Sequence, residues 1–170
     1  MDELFNQVRI AIEGRAYYLA LYASLTIPDI CSAMDSANGE ATGPRYITWF
    51  DRHVAPKYTG GKFVFLDGAT CYRLRCSILH QGRARFPQGV GYSRVLFVEP
   101  SPNGGIIHRN ILNGALNIDV SIFCNDIVAA AQAWLATARD TPNFQKNYPQ
   151  FMQRYPEGLA PYIGGTAVIA

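Results

Sequence analysis

The sequence predicts a mainly helical single domain that carries one β-hairpin, and three observations lead to this prediction. The length of 170 residues suits one ordinary domain with its own core. Hydrophobic residues make up 49% and charged residues 16%, which is typical of a globular protein and excludes a disordered one. Apolar residues recur at helical spacing in several segments, whereas residues 94–112 contain two strand-like runs around a turn.

The N-terminal third is expected to form three helices. The first covers residues 2–23, because its apolar residues recur every three or four positions. These residues are Phe5, Val8, Ile12, Ala16, Leu19 and Ala23. A second, short helix begins near Pro28, which suits a first turn, and ends near Gly39. A third begins near Arg45 and ends before Pro56.

Two longer helices are expected to form the centre of the bundle. The first is predicted over residues 68–81, with Asp67 as its N-cap and Gly82 as its C-terminal stop. The second is predicted over residues 119–139, where a wide apolar face indicates extensive burial. The resulting fold class is a helical bundle with a β-hairpin inserted between these two central helices.

The predicted hairpin and the C-terminal segment complete the single domain of residues 1–170. Residues 94–98 and 106–112 read as strands, joined by a turn rich in proline and glycine at 100–105. Residues 143–170 are expected to add a short helix and an apolar tail to the bundle formed by residues 1–142. The tail contains too many Gly and Pro residues for a helix and is expected to lie in a groove or at an interface.

The net charge is only +2, so overall composition does not indicate a nucleic-acid-binding protein. The distribution of charge is more informative, because residues 68–98 contain no acidic side chain. The arginines in this segment are Arg73, Arg75, Arg83, Arg85 and Arg94. Two interpretations fit this segment: a local anion-binding site, or a solvated loop that is basic.

The sequence predicts no metal and no cofactor. Cys76 and His80 are one helical turn apart, but no second pair of ligands stands at a recognisable spacing. The four cysteines lie in apolar patterns and are expected to be reduced, buried thiols. His53 and His108 have no partner at a telling spacing and are expected to be structural or surface residues.

The N-terminal sequence bears on where the protein acts. Its first residues are acidic, whereas a signal peptide begins with basic residues. The apolar stretch of residues 17–25 has about half the length needed to span a bilayer. A cytoplasmic protein without membrane association is therefore expected.

Arg75 stands out on the central helix. On a helical wheel at about 100° per residue, it falls within the apolar arc of residues 71–81. A guanidinium there is costly unless it is paired or opens into a polar cleft. Two interpretations remain: a buried ion pair, with Asp51, Asp119 or Asp126 as partner, or an anion-binding or catalytic role in a cleft or dimer seam.

Residues 72–82, Tyr-Arg-Leu-Arg-Cys-Ser-Ile-Leu-His-Gln-Gly, resemble the defining segment of the HEPN superfamily. The family signature is an arginine, four to six residues, then a histidine. Arg75 and His80 match the four-residue spacing, and Arg73 would match the six-residue one. Members of the family are helical bundles, commonly dimers, and many are metal-independent endoribonucleases of toxin–antitoxin, phage-defence or RNA-processing systems. Cys76 stands where active members usually carry a polar residue, often asparagine.

The resemblance implies a function for this segment. Cleavage of RNA without a metal needs a base for the ribose 2′-hydroxyl and a cation for the developing charge on phosphorus; histidine and arginine suit these roles. His80 is thus expected to be the general base or acid, and Arg75 to clamp the phosphate. The residues expected to contact the flanking RNA are Arg73, Ser77, Arg83 and Arg85.

The expected partners are a second copy of the chain, RNA, and a cognate antitoxin or other protein. Two alternatives to the nuclease stay open. One is a non-catalytic HEPN-like dimeric module that binds a nucleotide, RNA or a protein, and the other is a structural dimer with Arg75 in a buried ion pair. Cys76 favours both alternatives over the nuclease, whereas the basic segment favours the nuclease and the binding module.

Overall fold

The structure, a computed structural model, describes residues 1–61, 63–83 and 91–170. Helices dominate this part of the chain, which confirms the prediction of a mainly α protein. The helices are α1 (Asp2–Glu13), α2 (Tyr17–Asp35), α3 (Gly43–His53), α4 (Gly68–Gln81), α5 (Val120–Ala138) and α6 (Pro142–Asn147). The strands are β1 (Thr59–Gly60), β2 (Phe63–Val64), β3 (Arg94–Val98), β4 (Asn110–Leu112), β5 (Ala115–Asp119), β6 (Arg154–Tyr155), β7 (Gly158–Leu159), β8 (Ile163–Gly164) and β9 (Val168–Ile169).

Helices α2 and α5 pack against each other at the centre of the fold, and α2 also contacts α1, α3 and α4. The largest fully buried side chains come from several elements, which makes one continuous core. They include Phe5, Leu25, Tyr46, Phe50, Leu74 and Phe123. Among the described residues, helix α5 alone is long and apolar enough to cross a membrane, and half of its apolar window is buried inside the protein.

The predicted boundaries of the first two helices are wrong. The chain turns after α1, where Arg15 adopts a left-handed conformation with φ of +56°, so the expected single helix over residues 2–23 is two helices. Pro28 does not begin a helix but lies inside α2. An interior proline costs about 3 kcal/mol. Burial of neighbouring side chains such as Leu25 and Ile27 offsets that cost, because both are fully buried.

The predicted central helix is confirmed at both ends. The Asp67 side chain accepts a hydrogen bond from the Thr70 backbone N–H, and Gly82 adopts the left-handed conformation with φ of +62°. Gly68 allows the start of α4 to approach α3 closely, because a Cβ atom there would collide with the Ile47 carbonyl oxygen. Local capping and one close contact therefore fix where α4 begins and how it lies against α3.

The predicted pairing of the β-hairpin near 94–112 is wrong. Strand β3, at the predicted 94–98, pairs in parallel with β5, and β5 pairs antiparallel with β4, so the strand order is β3-β5-β4. The actual hairpin joins β4 and β5 through Asn113 and Gly114, whose φ angles are +50° and +73°. Asn-Gly is the preferred pair for such a two-residue turn. The hairpin therefore forms at this two-residue turn and not at the longer turn at 100–105 that the sequence suggested.

The C-terminal segment follows α6 with short paired strands. Strand β6 pairs with β9, and β7 pairs with β8, so one small hairpin lies inside another. Tyr162 and Ile169 are exposed by 83% and 70%. The predicted apolar tail is therefore a solvent-accessible β structure in the single chain.

Candidate functional site

Arg75 forms an ion pair with Asp29, which joins α4 to α2. Its Nε atom donates to Asp29 Oδ2 at 2.8 Å. The two side chains are 22% and 15% exposed, so the pair is largely buried but reachable by solvent. Arg75 is therefore neither free in a cleft nor sealed in the core.

The carboxylates expected to pair with Arg75 are engaged elsewhere, so that prediction is wrong. Asp51 accepts from the Gly68 N–H, Asp119 from the Ile122 N–H, and Asp126 from Lys57 and Tyr58. The first two hold the starts of α4 and α5, and the third joins α5 to the segment after α3. Each of the three carboxylates therefore bonds to residues other than Arg75.

Arg75 also contacts His80. Its Nη1 atom lies 3.1 Å from His80 Nε2. A guanidinium can only donate hydrogen bonds, so Nε2 accepts and the neutral ring carries its proton on Nδ1. His80 is exposed in the last turn of α4. The three side chains are thus linked by hydrogen bonds in the order Asp29, Arg75, His80, and the imidazole lies at the end that faces solvent.

The electrostatics of the pair reflect its partial burial. Burial raises the pKa of Asp29, and the charge and hydrogen bond of Arg75 offset only part of this rise. For Arg75, burial acts to lower the pKa, but the charge of Asp29 and the hydrogen bonds to Cys76 and Asp29 raise it overall. The guanidinium therefore stays charged, and Asp29 holds it in position.

Cys76 lies next to the hydrogen-bonded residues Asp29, Arg75 and His80. Its Sγ atom is 3.9 Å from Arg75 Nη1 and it is half-buried. The prediction of buried thiols is confirmed for Cys31, Cys71 and Cys124, but it is wrong for the half-buried Cys76. A thiol is a weak acceptor, so Cys76 competes little for the Arg75 donors. Within the described residues, no group of three or more His, Cys, Asp or Glu side chains is arranged to hold a metal ion.

The residues predicted to contact RNA differ in their exposure and in their position relative to α4. Arg73 is exposed and donates to Thr70 Oγ1 at 3.3 Å, and Ser77 is half-buried. With about 100° per residue, both lie on the His80 side of α4. Arg83 is exposed just beyond the end of α4. Arg85 lies outside the described residues.

Two of the cavities that the described residues form have volumes of about 300 Å³ each, and neither of these two is lined by Arg75 or His80. One lies between α2 and α3 and is called the α2–α3 cavity. Its lining includes Ser32, Asp35, Arg45, Trp49, Arg52 and His53. The other lies where α2, the end of α4 and β3 meet. Its lining includes Tyr18, Leu21, Tyr22, Ile78, Arg83 and Leu96.

Sequence reasoning missed the α2–α3 cavity. It assigned His53 to a structural or surface role and singled out no other residue of α3 as functional. A signal was present, because Arg45, Trp49 and Arg52 recur at helical spacing and so mark one face of α3 as both polar and aromatic. What the pattern lacked was any indication that the end of α2 would complete the cavity.

No family model, curated protein or solved structure matches this chain. The HEPN resemblance thus depends on residues 72–82, and the function it implies stays a prediction.

Proposed function

We propose that this chain is a metal-independent endoribonuclease of HEPN type that acts through Arg75 and His80. The observation that carries the proposal is the 3.1 Å contact between Arg75 Nη1 and His80 Nε2. It brings a phosphate-binding cation and a proton acceptor to one point that solvent can reach. Asp29 supports this arrangement, because its bond to Nε orients the guanidinium and leaves Nη1 and Nη2 directed to other acceptors.

In the proposed reaction, an RNA phosphate competes with His80 for the Arg75 Nη1 donor. The phosphate then neutralises the guanidinium fork, and Nε2 becomes free to accept a proton. Nε2 takes the proton of the ribose 2′-hydroxyl, and the 2′-oxygen attacks phosphorus. The bond from phosphorus to the 5′-oxygen breaks, which gives a 2′,3′-cyclic phosphate and a 5′-hydroxyl end. Arg75 stabilises the negative charge that develops on the phosphate oxygens.

The departing 5′-oxygen needs a proton, and a dimer would supply it. Two chains related by a two-fold axis bring two Arg–His pairs into one cleft. One imidazole then acts as the base while the other, in its protonated form, acts as the acid. Arg73 and Ser77 on the same side of α4, together with Arg83, would contact neighbouring phosphates. Such contacts position RNA without reading its sequence.

The ion pair with Asp29 favours a second candidate, a non-catalytic module that binds RNA or a nucleotide. A carboxylate 2.8 Å from Nε neutralises much of the Arg75 charge, which weakens stabilisation of a transition state more than it weakens simple binding. Cys76 points the same way, because it supplies no strong hydrogen bond to a reacting group. The two candidates differ in whether His80 changes a reaction rate.

The test is a cleavage assay with end-labelled single-stranded RNA in excess EDTA. His80→Ala is expected to lower the cleavage rate by about a hundredfold or more, because a positioned general base contributes about 10²–10⁴-fold. Gln81→Ala is the matched control: it changes the exposed neighbour on the same helical turn and should cleave like the wild type. Circular dichroism of each variant checks that the fold is retained.

Each outcome decides between the candidates. Equal cleavage by the wild type and His80→Ala would show that the nuclease is a contaminant and would end the catalytic proposal. RNA binding that Arg75→Gln weakens, without any cleavage by the wild type, would select the binding module. A wild-type chain that neither cleaves nor binds RNA would overturn both.

A further inference from the structure

Trp49, which lines the α2–α3 cavity, has a buried hydrogen-bond donor with no acceptor among the described residues. The Trp49 side chain is 4% exposed, and its Nε1 atom has no acceptor within residues 1–61, 63–83 and 91–170. The neighbouring Trp134 differs, because its Nε1 atom donates to Asp35 Oδ2 at 2.9 Å. Buried N–H groups are rarely left unpaired, so this donor is an unfavourable feature in the wall of the cavity.

Two arginines from one face of α3 lie at the same cavity. Arg45 is held in position, because its Nη1 atom donates to Asn38 Oδ1 and to the Glu40 carbonyl oxygen at 2.8 and 2.6 Å. Its Nε and Nη2 atoms donate to no acceptor in residues 1–61, 63–83 and 91–170 and can bind a ligand. Arg52 makes no hydrogen bond or ion pair to the part of the chain that the structure describes. The cavity thus presents two forks suited to carboxylate or phosphate groups.

One carboxylate balances part of this positive charge. Asp35 lines the cavity, and its bond from the neutral Trp134 N–H leaves its negative charge uncompensated by a direct ion pair. Burial lowers the pKa of His53, with a further contribution from Arg52, so that imidazole is neutral at neutral pH and adds no charge. The complementary ligand therefore has two anionic groups and one cationic group.

We propose that the α2–α3 cavity binds an acidic amino acid, or a small zwitterion with the same pattern of two carboxylates and one ammonium group. The two carboxylates pair with Arg45 and Arg52. The ammonium group donates to Asp35. A volume of about 300 Å³ lies at the lower end of the range for ligand pockets and suits a ligand of this size. This site is separate from Arg75 and His80 and does not depend on RNA cleavage.

The proposal can be tested by titrating the protein with L-glutamate and following its fluorescence. The chain has two tryptophans: Trp49 lines this cavity, and the Trp134 ring centre lies 6.3 Å from that of Trp49, so tryptophan emission reports on binding. Glutarate, which lacks the ammonium group, and L-glutamine, which lacks the second carboxylate, are the comparison ligands. Saturable binding of glutamate at least about tenfold tighter than either is expected, since a lost charge-assisted bond costs about that factor.

The other results would overturn the proposal. One such result is a fluorescence that shows no saturable change with glutamate up to about 10 mM, a range that covers weak binding. Another is equal affinity for all three ligands. Inorganic phosphate that binds as tightly as glutamate would show a simple anion site instead. A cavity filled by water only would give no saturable change.

Variants localise the binding. Arg52→Gln removes a side chain that is exposed at the cavity and should weaken glutamate binding by about tenfold or more. Arg154→Gln is the matched control, because it removes the same charge from exposed strand β6 and should bind like the wild type. If Arg52→Gln destabilises the fold, Arg52→Lys, which keeps the charge but loses the planar fork, should still bind more weakly. Wild-type affinity in both Arg52 variants would exclude the site.

Discussion

Helix α2 carries two carboxylates, Asp29 and Asp35, that differ in what satisfies them. Burial raises the pKa of both. Asp29 meets a cation, since Arg75 donates to it at 2.8 Å. Asp35 meets the neutral indole N–H of Trp134 at 2.9 Å, while the cationic Arg52 at the same cavity has no partner within the described residues.

This difference separates two kinds of site. At Asp29 the protein supplies its own counter-ion, so Arg75 is fixed in orientation before any ligand arrives. At Asp35 the charges face one cavity without a direct ion pair among them. The first arrangement suits chemistry that needs a positioned cation, and the second suits recognition of a ligand that brings the missing charges.

The largest stability effect is expected at Asp29. Asp29→Ala leaves Arg75 largely buried without its counter-ion and should lower the free energy of unfolding by about 1–3 kcal/mol, below the full cost of breaking a sealed pair because solvent reaches this one. The double variant Asp29→Leu/Arg75→Leu should recover most of this loss. Urea denaturation measures both variants. If the double variant were less stable than Asp29→Ala, the stability lost in Asp29→Ala could not come from the unpaired charge of Arg75.

An intermediate effect is expected from a matched pair of tryptophan variants. Trp134→Phe and Trp49→Phe remove the same atoms from neighbouring, similarly buried side chains. Only Trp134 loses a hydrogen bond to a carboxylate, so it should lose about 1–2 kcal/mol more than Trp49→Phe. Thermal unfolding of both variants without ligand gives the difference. Equal losses would contradict the view that the Trp49 N–H is unpaired.

The smallest effect is expected from pH. Burial lowers the pKa of His53 and of His108, so between pH 7 and 6 the unfolded chain binds more protons than the folded one. Stability should therefore fall as the pH is lowered through about 6.5, the ordinary histidine value. His108 contributes because its Nδ1 accepts from the Asp119 N–H and protonation would remove that bond. His108→Asn should flatten the dependence of Tm on pH, and an unchanged slope would count against this cause.

The sequence predicted part of the candidate site. The sequence singled out Arg75 and His80 on one helix, but it did not predict that their side chains touch, because residues five apart lie about 140° apart around a helix. Asp29 was not predicted, because it lies 46 positions away and no local pattern marks it as the partner. The α2–α3 cavity was missed for the same reason, since a third of its lining residues come from the end of another helix.

The strands show the same limit. The sequence located β3 correctly but paired it with the wrong segment, because strand pairing depends on a parallel partner, β5, that lies beyond an intervening turn. The Asn113-Gly114 turn was a strong local signal that favoured the β4–β5 hairpin. A turn of two residues is enough to explain the β4–β5 hairpin. The parallel pairing of β3 with β5 forms only when distant parts of the chain have come together.

The sequence by itself determined the mainly helical class and the bounds of α4, because caps such as Asp67 and Gly82 act within one helical turn. Tertiary structure decided that α2 continues through Pro28, that Asp29 holds Arg75, and that Asp35 and Arg52 face one cavity. These outcomes depend on burial and on charges brought together from distant positions. Their free energies exist only after the helices have packed, so no short segment encodes them.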